Sequence, residues 1–192
     1  MESKSMLSRL SSAFTRKTKY DLRILVVGLD NSGKTTVINQ LKGQTVQTND
    51  VKPTVGFSTE EFARENLNLT MFDMSGQSRY RSLWEHYYRD VQAIIYVLDS
   101  TDKVRMCVAK DELDSMLEHK DITHKEIPLL FFANKVDLPG GLEPVDIAKK
   151  LELYDVEDKP WHIASTNALT GEGIDGGIVW MAEKVLEFEG HK

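Results

Sequence analysis

Apolar residues fall along the chain in short runs separated by helical repeats. Runs at 22–27, 67–72, 93–98 and 127–133 each have strand length. In 67–72 the apolar residues Leu67, Leu69 and Met71 share one face, while 93–98 and 127–133 are apolar at nearly every position. The first pattern fits a sheet with one face buried, and the second fits strands covered by helices on both faces. Between the runs the period lengthens. Residues 34–42 read as a helix, and so do about 103–118, where Met106, Ala109, Leu113, Met116 and Leu117 make a stripe. In 174–188, Ile174, Ile178, Met181, Val185 and Phe188 recur at spacings of four and three, and Gly190 follows as a stop. Residues 55–62 pair with 67–72 across a turn at Arg64-Glu65-Asn66, giving one antiparallel hairpin. Alternating strands and helices predict an α/β fold with a mostly parallel sheet. A length of 192 residues fits one domain with a continuous core.

Charge divides this picture in two. The net charge is −6, yet residues 1–20 carry Lys4, Arg9, Arg16, Lys17 and Lys19 against Glu2, leaving the tail at +4 and the body at −10. An acidic body argues against a nucleic-acid footprint, which needs a basic face. Met6, Leu7, Leu10 and Phe14 give the same tail an apolar stripe. Such a stripe can lie on a membrane, dock in a groove of the body or stay disordered, and the pattern leaves these open. No apolar run approaches the ~18 residues of a spanning helix, so a soluble or membrane-surface protein is expected. Cys107 is the single cysteine, which excludes an internal disulfide, fits a reducing cytosolic setting and, in a helical stretch, reads as a buried structural thiol. Five scattered histidines show no metal-ligand spacing, so no protein-only metal site is expected.

The chemistry sits at the ends of the apolar runs. Gly28-Leu29-Asp30-Asn31-Ser32-Gly33-Lys34-Thr35-Thr36 is a full G-x-x-x-x-G-K-[ST] loop directly behind the first run. Glycines let backbone N–H groups close on a phosphate at a helix N-terminus, Lys34 reaches the terminal phosphates, and Thr35 offers a hydroxyl to Mg²⁺. Asn134-Lys135-Val136-Asp137 closes the run 127–133. There Asp137 can accept from guanine N1–H and N2–H₂ together, Asn134 can bond the Hoogsteen side and the stem of Lys135 can cover the ring. Adenine would leave Asp137 facing a lone pair. Thr166-Asn167-Ala168-Leu169 follows a short apolar run, and the N–H of Ala168 is a candidate partner for guanine O6. Asp73-Met74-Ser75-Gly76-Gln77 closes the run 67–72. In it Asp73 can hold a Mg²⁺-bound water, Gly76 can present its N–H to a γ-phosphate and Gln77 can orient an attacking water. Thr54, in Val51-Lys52-Pro53-Thr54-Val55-Gly56, can add its hydroxyl to Mg²⁺ only while a γ-phosphate is present. GTP, GDP and Mg²⁺ are the ligands expected.

These segments, in this order, resemble the small GTPases of the Arf and Arf-like family over nearly the whole chain. Gly-Leu-Asp-x-x-Gly-Lys-Thr-Thr and Leu83-Trp84-x-His86-Tyr87 are specific to that family. Phe72–Gln77, Arg79-Tyr80-Arg81, Trp84–Tyr88, Phe131–Lys135 and Asp158–Ile163 are similar to its ciliary, Bardet–Biedl-linked members. The resemblance implies a Ras-like fold of about six strands and five helices, with an amphipathic extension over 1–20 and a GTPase domain over 21–190. It also implies slow intrinsic hydrolysis, an exchange factor, an activating protein and a BBSome-like coat effector recruited to a membrane. A monomer is expected, cytoplasmic and peripheral to a membrane, at the cilium or basal body. Phe57, Phe72 and Tyr87 match positions that in the family pack between a moving hairpin and the effector surface. Two residues depart from the pattern. Ser75 replaces the first of two glycines before the glutamine, and Glu2 stands where a myristoylated glycine is common, which closes that acylation route. No arginine lies in the phosphate loop or next to Thr54, so an activating protein would have to supply one. Two rival readings remain, a GTP-dependent scaffold with negligible turnover and a P-loop nucleotide kinase. The kinase would need an arginine-rich lid and would not need N-K-x-D.

Overall fold

The computed structural model describes residues 19–43 and 52–190. The amphipathic stripe of the tail, and Val51, lie outside them.

Six strands make one sheet in the order β2-β3-β1-β4-β5-β6. They are β1 (Tyr20–Val27), β2 (Phe57–Arg64), β3 (Leu67–Met74), β4 (Ala93–Asp99), β5 (Leu129–Asn134) and β6 (Trp161–Thr166). Every neighbouring pair is parallel except β2 with β3, which run antiparallel from Phe57 opposite Met74 to Arg64 opposite Leu67. The expected hairpin is present, and its turn places Glu65 at φ 54.

The apolar runs serve two cores because successive strand residues point to opposite faces. Leu25, Val27, Tyr96 and Phe131 face one way, onto α2 (Met106–Glu118) and α4 (Pro144–Lys150). Ile24, Val26, Ile95 and Phe132 face the other way, onto α1 (Lys34–Leu41) and α5 (Ile174–Gly190). The remaining helices are short: α3 (Lys120–Thr123) and two 3₁₀ segments, Ser78–Tyr87 and Leu153–Asp155. Strand β3 runs two residues past the expected end, so Asp73 belongs to the strand rather than to the loop behind it. Helix α2 starts at Met106 because Asp102 holds Arg105, through its N–H at 3.2 Å and its Nε at 2.6 Å, in a turn ahead of the first helical residue. Helix α5 continues through Gly190 instead of stopping before it.

Two further features differ from the sequence expectation. Cys107 is exposed, not buried. The buried stripe of α2 is Met106, Ala109, Leu113 and Met116, and Cys107 sits about 100° around the helix from it. The second is α4, which has only Ile147 and Ala148 buried and so carries too short a pattern to be read; its signal is Pro144 at the first helical position.

Candidate functional site: a nucleotide cleft at the strand ends

The carboxyl ends of β1, β3, β5 and β6 open into one cleft of about 430 Å³. It is lined by Asp30, Asn31, Gly33, Lys34, Thr35 and Thr36, by Thr54, Ser75, Gly76 and Gln77, and by Asn134, Lys135, Asp137 and Ala168. Loops separated by more than a hundred residues thus meet where a parallel sheet places its ligand. Ser32 and Asp73, among the expected residues, stand buried behind the cleft wall, and the Ser32 carbonyl accepts from Asn134 Nδ2.

The phosphate loop is shaped by its backbone. Gly33 caps α1 at φ 100, and a Cβ there would stand 2.3 Å from the Asn134 amide nitrogen, so only glycine fits. Lys34 is buried, and its ammonium donates to the carbonyls of Gly28 at 3.0 Å and Leu29 at 2.9 Å. Burial lowers its pKa to about 8, and the charges of Asp73 and Asp30 pull it back up. An anion in the loop would favour the charged form further.

Three hard oxygen donors converge beside Lys34. Thr35 Oγ1 donates to Asp73 Oδ2 at 2.6 Å, Thr54 Oγ1 lies 3.3 Å from the same oxygen, and the two hydroxyls are 3.0 Å apart. Asp73 Oδ1 is buried without a hydrogen-bond partner. Burial raises the Asp73 pKa, against the hydrogen bond from Thr35 and the charge of Lys34. Two hydroxyls and a carboxylate with an unsatisfied oxygen are the donor set that a small hard cation takes, so these residues fit Mg²⁺.

The base end is built around Asn134, the last residue of β5. Its Nδ2 donates to Ser32 O at 2.8 Å, and its Oδ1 accepts from Ala168 N at 3.0 Å and Thr166 Oγ1 at 3.3 Å. Asn134 therefore ties the phosphate loop to the 166–169 loop, and the Ala168 N–H, read from sequence as a partner for O6, here donates to Asn134. Lys135 has φ 66, and its ammonium is pinned to Asp99 at 2.7 Å. Burial alone would raise the Asp99 carboxyl, but hydrogen bonds from Lys135 and Thr101 hold it below the usual carboxylate range. Asp137 stays exposed at the cleft mouth, with its carboxylate free for a base edge.

Sequence reading missed the ion pairs behind the phosphate loop. Arg105 Nη1 bonds Asp30 Oδ1 at 2.8 Å, and its Nη2 reaches the Asp30 carbonyl at 3.3 Å. Arg81 lies 3.8 Å from the same carboxylate. Asp30 is thereby held towards α2 and away from the anion that the loop would bind. Nothing local marks this, because the Asp30 and Arg105 positions are 75 apart in the chain.

The ADP-ribosylation factor family model matches residues 6–185. The chain belongs to that family. It is a small GTPase that binds GTP and GDP. It is 54% identical to ADP-ribosylation factor-like protein 6 of Danio rerio over 167 residues, covering 87% of this chain and 90% of that protein. Its identity to ADP-ribosylation factor-like protein 6 of Caenorhabditis elegans is 44%, over 94% of this chain and 95% of that one. Among solved structures, the Arl6 BBS3 small GTPase of Trypanosoma brucei with the bound nucleotide analogue GppNp superposes with a TM-score of 0.81. Identity there is 38%, covering 87% of this chain and 98% of the other.

Proposed function

We propose that this GTPase is a GTP-operated switch that recruits a BBSome-like coat effector to a membrane and is reset by hydrolysis. The observation that carries the reading is the meeting of Thr35, Thr54 and Asp73 beside Lys34. Thr54 comes from the segment leading into β2, so an ion and γ-phosphate at this point would draw that segment onto the cleft. Thr35, Thr54 and Asp73 are the residues that would hold Mg²⁺, which would supply neutralisation of charge on the phosphates. Lys34, Gly76 and the N–H groups of residues 30–36 bind phosphate. Asn134, Lys135, Asp137 and Ala168 hold guanine, and Gln77 orients the attacking water.

An apolar surface next to the moving segment supports an effector. Val55 and Phe57 are 69% and 48% exposed, and the Phe57 ring packs 5.2 Å from Tyr87, which lies 4.8 Å from Phe72. Such a patch fits a partner that reads the position of β2. Similarity to the trypanosome structure named Arl6 BBS3 supports the ciliary assignment, in which residues 1–20 contact the membrane and residues 21–190 form the GTPase domain. An exchange factor loads GTP and an activating protein supplies the missing arginine, a contribution of about 10³–10⁵ in rate in related switches.

Gln77→Leu tests this. The variant should bind a GTP analogue nearly as tightly as the parent, fail to hydrolyse GTP in the presence of cell lysate, and retain partners on beads that the GDP-loaded parent releases. Lysate-stimulated turnover by the variant at the parent's rate would refute the role of Gln77. A parent that shows no stimulated turnover would favour the scaffold reading.

A further inference from the structure

The family signature at Leu83-Trp84-x-His86-Tyr87 contributes no atom to the cleft, yet Trp84 is 1% exposed and its indole is aimed at the glutamine loop. Trp84 Nε1 donates to the carbonyl of Ser75 at 3.1 Å. Arg81, from the same 3₁₀ segment, donates through Nε to the carbonyl of Gly76 at 2.8 Å. The two peptide groups that flank Gly76 are therefore each held by one side chain. A trans peptide carries its carbonyl and N–H on opposite sides. Holding the Ser75 carbonyl on Trp84 thus turns the Gly76 N–H away from Trp84, and holding the Gly76 carbonyl on Arg81 sets the direction in which Gln77 leaves.

Neither clamp is free to drift. Arg81 also bonds Glu112 of α2 at 2.9 Å, and Trp84 meets Tyr96 edge to face with centroids 6.4 Å apart. Gly76 itself is pressed on the phosphate loop, since a Cβ there would stand 2.2 Å from Asp30 N. The Ser75 N–H donates to Gly56 O at 2.9 Å, which links the preceding peptide, Met74–Ser75, to the segment that carries Thr54.

We propose that Trp84 and Arg81 are positioning residues for the triphosphate: they fix the two peptides around Gly76 so that its N–H meets the γ-phosphate and Gln77 faces the same group. The inference rests on the switch reading above. GDP has no γ-phosphate, so the two residues should act on the GTP form alone, whereas residues that merely support the fold would affect both nucleotides.

The test uses full-length Trp84→Phe, which keeps a ring in the core but loses the donor, and Arg81→Lys, which keeps the charge but loses the planar fork. Each is titrated with GDP and with a non-hydrolysable GTP analogue, and intrinsic GTP hydrolysis is followed in single turnover. One lost hydrogen bond corresponds to about 3- to 10-fold in binding. GDP affinity should stay within about twofold of the parent, while GTP-analogue affinity and the hydrolysis rate each fall by about that factor. Equal losses for both nucleotides, or no loss for either, would overturn the proposal. Arg81→Lys changes a side chain at the edge of the core, so it decides the matter even where Trp84→Phe is too unstable to load. A parent that binds GDP but not the GTP analogue would overturn the switch reading, and this inference with it.

Discussion

Asp137 sits at the cleft mouth as an exposed carboxylate, whereas the neighbours that frame the base are tied into the protein. Lys135 is anchored on Asp99 and the Asn134 amide is divided among Ser32, Thr166 and Ala168, which leaves Asp137 as the base-discriminating group in the proposed reading. Replacing it by asparagine gives an amide that can turn a donor to the base, which suits the N2-side acceptor of xanthine and opposes the donors of guanine. Asp137→Asn is expected to weaken GDP and GTP binding by about 10²-fold or more, the effect of leaving buried polar groups mismatched, and to shift preference towards xanthine nucleotides. A fluorescent-nucleotide competition titration checks this; parent-like guanine affinity would remove Asp137 from the base site. Residues such as Asp137 and Lys34 were legible because phosphate-loop and base-reading chemistry is written in contiguous motifs at strand ends. Arg81 and Arg105 were not, because their partners Gly76, Glu112 and Asp30 are set by tertiary packing of a 3₁₀ segment and α2 against the loops. Cys107 was misjudged because membership of a helix does not fix the phase of a residue on it.

Among elements, the hairpin of β2 and β3 carries the conformational change in the proposed switch. Among the described residues, strand β2 is the sheet edge and pairs only with β3, so half of its backbone groups have no strand partner there. Its alternation of exposed and half-buried residues shows that no helix covers it completely. Three polar contacts hold its far end: Lys42 to Glu60 at 2.7 Å, Arg64 to the Leu41 carbonyl at 2.7 Å and Arg64 to Asp175 at 2.6 Å. Partly exposed contacts of this kind are individually worth little, so β2 can exchange them more readily than the buried β3, which is also paired with β1, can exchange its own. At its near end, in the proposed reading, Thr54 and Gly76 gain further partners when a γ-phosphate and its ion are bound. Amide exchange across 52–57 and 73–82 should therefore slow with a GTP analogue relative to GDP, while β4 and β5 stay equally protected in both. Identical exchange in the two states would mean that the hairpin does not report the nucleotide. The hairpin and the central strands were readable from period alone, since alternation and continuous apolar runs mark an edge and a double-sided core. Helix α4 and the 3₁₀ segment were not, because each buries too few side chains to impose a period.

For the whole molecule, the charge division between a tail of +4 and a body of −10 sets how it can meet a membrane. No described helix is long and apolar enough to cross one. The acidic body is repelled by an anionic surface, so attraction has to come from the tail, a region that the family model begins to match at residue 6. Met6, Leu7, Leu10 and Phe14 offer about 1.5–3 kcal/mol each only if fully buried, and burial at an interface is partial. Basic residues add about 1 kcal/mol each near an anionic surface, and salt screens that contribution within about 8 Å at physiological ionic strength. Binding should therefore be weak, reversible and sensitive to salt, and stronger in the GTP form if the tail is released when the hairpin moves. In liposome flotation, the protein loaded with a GTP analogue should float with anionic vesicles more than the GDP form does. It should lose most of that binding when salt is raised from about 50 mM to physiological strength, a change that shortens the range of surface charge. Deleting residues 1–16 should abolish flotation and leave nucleotide affinity unchanged. Flotation that survives the deletion would place the membrane contact on the body, against its charge.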